Sequence, residues 1–254
     1  MRFFLRLAYN GSPFHGWQRQ PNAPSVQENI EKALSLIFQR EMAITGAGRT
    51  DAGVHAKEMY AHFDLESEIE DKERFLLSLN RLLGANISVY DVFRVPDNAH
   101  ARFDATGRTY RYYIISGKDP FLYPYSHLIK TPLDVDKMNE AAQILLTTSD
   151  FTSFAKLHTD NKTNICTVGE AFWQKKDETG LLVFTISADR FLRNMVRAVV
   201  GTLVMVGTHK ISIEDFKEII NSKNRCNAGN SMPPQALFLE KVEYPLEILN
   251  PCYT

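Results

Sequence analysis

Residues 46–56 are the stretch of this sequence best suited to chemistry, because three glycines in eight positions surround an arginine and an aspartate two residues apart. Glycine gives a loop backbone conformations that other residues avoid. The guanidinium of Arg49 favours the ionised form of Asp51. A preordered carboxylate of this kind is typical of a nucleophile or a base. The same residues also fit an arginine–aspartate pair that only stabilises a glycine loop, and both interpretations stay open.

Other kinds of site fit this loop poorly. It lacks the third glycine of a dinucleotide-binding fingerprint and the Gly-Lys-Ser/Thr of a phosphate-binding loop, so no cofactor is predicted. Asp51 and its neighbours resemble half of an aspartic-protease site, but the sequence offers no second carboxylate of that type. His55, His62 and Asp64 do not form a recognisable set of ligands, so the sequence predicts no metal site.

Two basic segments are candidates to assist the carboxylate. Residues 108–113 alternate arginines with tyrosines along a predicted strand. That mixture stacks nucleobases and neutralises phosphates, although tyrosine is also common in core strands. Arg190, Arg193 and Arg197 are spaced to share one face of a predicted helix. Because Arg197 interrupts an apolar run, we expect it to have a carboxylate or phosphate partner.

Composition is that of an ordinary globular chain. Its 254 residues are 44% hydrophobic and 23% charged, with a formal net charge of −1, which excludes wholesale disorder. Positive charge is concentrated in residues 1–20, 101–118 and 186–210, which leaves room for a polyanion partner. Three cysteines without a Cys-x-x-Cys pair indicate a reducing compartment. No apolar run suits a signal peptide or a membrane span, so we expect a cytoplasmic protein without membrane contact.

The predicted secondary structure repeats one order of elements. The first half contains strands near residues 3–9, 42–45, 59–65 and 87–95, with helices opened by Ser25-x-x-Glu28 and Ser67-x-x-Glu70. The second half contains strands at 108–116, 165–173, 181–186 and 237–244, a hairpin turn at 177–180, and helices begun by Asp134, near Phe191 and by Ser212-x-x-Asp215. We therefore predict an α+β protein of two ferredoxin-like β-α-β-β-α-β units with mainly antiparallel sheets, residues 1–103 and 104–254.

Five ordered motifs carry a family resemblance over almost the whole chain. They are the opening segments within residues 9–27, the loop at 48–55, residues 100–112, residues 150–154 and residues 191–203. On these residues the sequence resembles the tRNA pseudouridine synthase A family. It departs from the usual family pattern at Asp104, Ala198 and Ala236, where serine, asparagine and glycine are common.

The resemblance implies an enzyme that isomerises uridine to pseudouridine at positions 38–40 of the tRNA anticodon stem-loop, without a cofactor. It also implies a homodimer that binds RNA across both subunits. Asp51 corresponds to the catalytic aspartate, Arg49 and Arg197 to its cationic neighbours, and Tyr110 to the residue that stacks on the target base. Attack on the sugar, attack on the ring and removal of a sugar proton all stay open as the role of the carboxylate.

The main alternative is a non-catalytic RNA-binding protein of two ferredoxin-like units. It explains the basic and aromatic strand at residues 108–113. For the enzyme, Arg108 and Arg193 are expected to bind the RNA substrate together with Tyr110. The non-catalytic alternative does not explain Asp51, since a carboxylate repels phosphate. A small-molecule enzyme explains the Asp51 loop but leaves the dispersed arginine clusters without a role.

Overall fold

The computed structural model describes residues 1–156, 163–176 and 180–249 of the chain. Two compact units form, one from Met1–Gly107 with the chain from Leu239 onward, the other from Arg108–Phe238. Each is a mixture of helices and mainly antiparallel strands, so the predicted α+β class is confirmed. No helix in the described part of the chain is long and apolar enough to cross a membrane.

The first unit follows the order predicted for it. Its elements are β1 (Arg2–Tyr9), α1 (Val26–Phe38), β2 (Thr45–Gly46), β3 (His55–Asp64), α2 (Lys72–Leu83) and β4 (Ile87–Val95). Strand β1 lies between β4 and β3 and is antiparallel to both, while the short β2 pairs with the far end of β3. The alternating apolar residues of β1 are buried, as their period of two predicts.

Local capping sets where the first two helices begin. The Ser25 hydroxyl accepts the N–H of Glu28 at 3.2 Å and starts α1 where the sequence predicts it. The prediction for α2 is wrong by several residues: the helix begins after Asp71, not at Ser67. The carboxylate of Asp71 accepts the N–H of Arg74 at 2.9 Å and so caps the first turn of the helix.

The second unit contains three longer strands that pair antiparallel to one another. Its elements are β5 (Gly107–Ile115), β6 (His127–Leu128), α3 (Val135–Ile144), β7 (Val168–Lys176), β8 (Leu181–Ala188), α4 (Met195–Gly207) and α5 (Ile213–Asn221). After α5 come β9 (Leu237–Glu243) and α6 (Leu246–Leu249), whose residues from Leu239 onward belong to the first unit. Strand β8 lies between β5 and β7 and is antiparallel to both. The short β6 runs parallel to β5.

Some details differ from the sequence prediction for this half. Strand β6 and helix α6 were not predicted. Strand β9 pairs with β3, and its residues from Leu239 onward belong to the first unit. The predicted capping box is present at α5, where the side chains of Ser212 and Asp215 each accept the backbone N–H of the other residue. Residues 177–179 of the turn predicted at 177–180 lie outside the described residues, as does Cys252.

Helix α4 begins later than its apolar pattern suggests. Asn194 precedes it with a φ of 66°, a left-handed conformation that asparagine tolerates and that a right-handed helix cannot continue through. Arg190 and Arg193 therefore precede the helix, and the prediction that they share one helix face with Arg197 is wrong.

Candidate active site

The loop between β2 and β3 carries Asp51 in a half-buried position. Thr50 before it is buried, whereas Arg49 is exposed. The Asp51 carbonyl oxygen accepts the N–H of Val54 at 3.1 Å, which closes a tight turn at the carboxylate. The loop thus holds the acid partly out of water on a backbone that is itself hydrogen-bonded.

A second segment, residues 9–17, fixes this loop from the side. The hydroxyls of Tyr9 and Thr50 lie 2.9 Å apart in a buried hydrogen bond. Trp17 donates its backbone N–H to the Thr50 carbonyl oxygen at 3.2 Å. Gly53 donates its backbone N–H to the carbonyl oxygen of Phe14, also at 3.2 Å. Residues on both sides of Asp51 are therefore held by the same segment.

Gly16 makes this close approach possible. Its φ is 95°, and a Cβ placed on it would lie 2.5 Å from the Thr50 carbonyl oxygen. A side chain at this position would push the two segments apart. The role of residues 9–17 is one that the sequence analysis missed; glycines at 11 and 16 beside an aromatic residue were the available signal.

His55 has a structural role. It is buried, and its Nδ1 accepts the backbone N–H of Gly11 at 3.0 Å, which ties the start of β3 to the same segment. His62 likewise uses its Nδ1 to accept a backbone N–H, that of Ala101. Across the described residues, no group of three or more His, Cys, Asp or Glu side chains is placed to hold a metal ion.

Arg197 lies in the first turn of α4, and a neighbouring segment orients its guanidinium. This segment, residues 229–233, is called the strap below. Arg197 donates its Nε–H to the Met232 carbonyl oxygen at 2.6 Å, and its own carbonyl oxygen accepts the Met232 N–H at 3.1 Å. The first bond orients the guanidinium, and the second fixes the backbone of Met232 against that of Arg197.

The strap is itself fixed at both ends. A Cβ on Gly201 would lie 1.9 Å from the Asn230 carbonyl oxygen, so helix α4 and the strap touch backbone to backbone. At the other end, the hydroxyl of the fully buried Tyr112 donates to the Pro233 carbonyl oxygen at 2.9 Å. Burial raises the pKa of Tyr112, whereas the nearby charge of Arg197 lowers it. The phenol therefore stays protonated and keeps its proton for Pro233.

Strand β5 carries the basic and aromatic residues. Tyr110 is half-buried, and its ring meets that of Phe191 edge to face with centroids 5.1 Å apart. Arg108 donates from Nη1 to the Asp189 carbonyl oxygen at 2.8 Å, and Arg111 is exposed. The strand thus combines a braced aromatic ring with cations that reach solvent.

Two cysteines lie in the described part of the chain. Cys166 is buried and Cys226 exposed, and both are free thiols. Burial raises the pKa of the Cys166 thiol to about 11, so it stays protonated and is a poor nucleophile.

The predicted site residues divide between the two units. The first unit holds Asp51 and Arg49; the second holds Arg108, Tyr110, Arg193 and Arg197. Tyr112 and Met232, which orient Arg197, were missed by the sequence analysis because their partners are distant in the chain.

Comparison with known proteins identifies the family. Residues 141–245 match the family described as tRNA pseudouridine synthase. A relative from Bacteroides fragilis named tRNA pseudouridine synthase A is 58% identical over 97% of this chain and 98% of its own length. Relatives of the same name from Bacteroides thetaiotaomicron and Porphyromonas gingivalis are 54% and 53% identical, over 98% and 97% of this chain and 93% and 98% of theirs. The chain belongs to the tRNA pseudouridine synthase A family, a family of isomerases.

Proposed function

We propose that this chain isomerises uridine to pseudouridine in tRNA, with Asp51 as the catalytic residue. Family membership supports the reaction and the substrate. The observation that carries the assignment of Asp51 is its loop: a half-buried carboxylate whose flanking residues Thr50 and Gly53 are both hydrogen-bonded to residues 9–17. Positioning of this precision is what an acid acting on a bound nucleotide requires.

The reaction needs no oxidant, reductant or second substrate. The bond between ribose C1′ and uracil N1 breaks, the detached base turns, and a bond forms between C1′ and C5. C5 gives up its proton and N1 gains one, so the product has the mass of the substrate. A carboxylate held beside the sugar and the base suits each of the three roles left open for Asp51: attack on the sugar, attack on the ring and removal of a sugar proton.

The other site residues have supporting roles in this proposal. Arg197, oriented by Met232, and Arg49 supply positive charge close to the reacting nucleotide. Tyr110, braced by Phe191, stacks on the uracil after it leaves the RNA helix. Extruding a base costs a few kcal/mol, which such stacking offsets.

Arg108 and Arg193 serve binding, because exposed or partly exposed arginines attract phosphates. The competing hypothesis of a non-catalytic RNA-binding protein is disfavoured, since family members are isomerases and the hypothesis has no use for Asp51.

The finer assignments rest on the resemblance of the motifs. We place the target at positions 38–40 of the anticodon stem-loop and expect a cytoplasmic homodimer that binds RNA across both subunits. We also keep two ferredoxin-like domains, residues 1–103 and 104–254. The strand order β4-β1-β3, with β2 beside β3, supports this for the first of them.

The test uses transcribed tRNA labelled with tritium at uridine C5, since the isomerisation releases that label to water. Purified protein without an added cofactor should release it from tRNA with uridine at positions 38–40. A transcript with cytidine at those positions should release none. Undiminished release from the cytidine transcript would contradict the assigned positions, and no release from any tRNA would contradict the proposed reaction.

A further inference from the structure

The loop of residues 100–104 in the first unit displays an aromatic ring. Phe103 is 74% exposed, although Ala101 in the same loop is fully buried. The ring packs on that of His100 with centroids 4.2 Å apart and planes tilted by 33°. The guanidinium carbon of Arg102 lies 5.8 Å from the centre of the same ring. We call Phe103, His100 and Arg102 the Phe103 stack.

Hydrogen bonds from side chains to the backbone hold this loop in one conformation. His100 Nδ1 accepts the N–H groups of Arg102 at 3.1 Å and Phe103 at 3.3 Å. The Asp104 carboxylate accepts the N–H of His100 at 2.7 Å. The negative charge of Asp104, at a position where serine is usual in the family, is thus used to close the loop.

The loop is also tied to the sheet beneath it. Ala101 donates its N–H to His62 Nδ1 at 3.1 Å, and its carbonyl oxygen accepts the hydroxyl proton of Tyr244. The rings of His62 and His100 meet edge to face with centroids 4.7 Å apart. Several internal contacts therefore order this loop, although its most apolar side chain, Phe103, faces water.

A single exposed apolar side chain is common and needs no explanation by itself. Phe103 differs because its ring is already ordered against an imidazole and lies beside a cation. An ordered ring loses little conformational entropy when a flat ligand stacks on it. An adjacent guanidinium complements the phosphate of a nucleotide whose base stacks there.

We infer that the Phe103 stack binds an unpaired nucleobase of the tRNA by stacking, at a point away from the reacting uridine. This inference rests on the proposed tRNA substrate. Aromatic side chains accept any base in this way, so the contact adds affinity without selecting a base.

The length of strand β3 separates the Phe103 stack from the loop that carries Asp51. His55 at the start of β3 follows the Asp51 loop, and His62, which holds the Phe103 loop, lies seven residues further along the same strand. At about 3.3 Å per residue the two histidines are roughly 23 Å apart. A base on Phe103 is therefore a different nucleotide from the one at Asp51.

Phe103→Ala tests the inference, with Phe103→Trp as the variant that keeps a stacking ring. Leu77→Ala is the matched control, because Leu77 is also 74% exposed and lies in the same unit. Dissociation constants for tRNA at several salt concentrations, single-turnover tritium release and molar mass in solution are measured for all. Phe103→Ala should weaken tRNA binding about 5- to 150-fold. Its salt slope should not change, because no charge is removed. Phe103→Trp and Leu77→Ala should bind within twofold of wild type.

Three outcomes would overturn the inference. They are unchanged tRNA affinity in Phe103→Ala, an equal loss in Leu77→Ala, or a loss that accompanies a change in molar mass, which would assign Phe103 to a contact between subunits. The proposed function fails separately. If wild-type protein released no tritium while Phe103→Ala still weakened tRNA binding, the inference would stand and the isomerase assignment would fall.

Discussion

Replacing Tyr112 by phenylalanine removes one atom from the support of Arg197. The Tyr112 hydroxyl is buried and donates to the Pro233 carbonyl oxygen at 2.9 Å. The adjacent residue, Met232, accepts the Arg197 Nε–H at 2.6 Å. Without the hydroxyl, the strap loses its anchor next to the residue that orients the guanidinium.

The magnitude follows from the burial of this bond. Leaving the carbonyl without its donor costs about 1–3 kcal/mol. For a protein of this size that lowers Tm by roughly 2–12 °C. If the same free energy is lost from the placement of Arg197 in the transition state, the catalytic step slows by about 5- to 150-fold. We expect the single-turnover rate at saturating tRNA to fall within that range, with the dissociation constant for tRNA within twofold.

The assay is single-turnover tritium release, together with thermal unfolding and tRNA binding. Tyr90→Phe is the control, since Tyr90 is exposed and surface changes of this kind alter stability by less than about 0.5 kcal/mol. In a double-mutant cycle, Tyr112→Phe should add little to Arg197→Lys if both act through the same guanidinium. A lower Tm with a wild-type single-turnover rate would refute the positioning role of Tyr112.

Two further predictions concern charge. Arg197→Lys keeps the charge but loses the planar guanidinium that donates to the Met232 carbonyl oxygen, so the saturated single-turnover rate should fall about 10- to 150-fold with little change in tRNA affinity. Replacing the exposed Arg193 by alanine should instead weaken tRNA binding and reduce the magnitude of its salt slope by about 0.7–0.9. The reverse pattern would exchange the roles of the two arginines. Burial, with the charge of Arg2 and His100 second, lowers the pKa of His62 to about 4 from an ordinary 6.5. Between pH 6.5 and 4 the unfolded chain binds a proton at His62 that the folded chain does not bind. The free energy of unfolding should therefore decrease by at most about 3 kcal/mol as the pH falls through this range. Urea unfolding at both pH values should show a smaller decrease in His62→Asn; an equal decrease would assign the effect to other groups.

Elements with local signals were predictable from the sequence. Strand β4 (Ile87–Val95) has the predicted bounds because its apolar residues alternate and Pro96 follows it. Helix α3 begins after Asp134 because that side chain caps the N–H of Lys137. The candidate Asp51 was identified for a similar reason: its glycines and Arg49 are neighbours in the chain.

Features that depend on distant contacts were not predictable in this way. The left-handed conformation of Asn194 displaces the start of α4, and the periodic pattern of apolar residues does not predict this conformation. Arg197 and Met232 are 35 residues apart, and Tyr112 and Pro233 are 121 apart, so only the folded chain brings each pair together. The sequence therefore identified which side chains carry charge, whereas the structure shows which backbone groups orient them.

The most direct test of the account is Asp51→Asn in the tritium-release assay. Asparagine keeps the size of the side chain and much of its hydrogen bonding but removes the charge. Release from C5-labelled tRNA should fall to background, while Tm and the dissociation constant for tRNA stay close to those of the wild type. Turnover within tenfold of the wild-type rate would contradict the assignment of Asp51 as the catalytic residue.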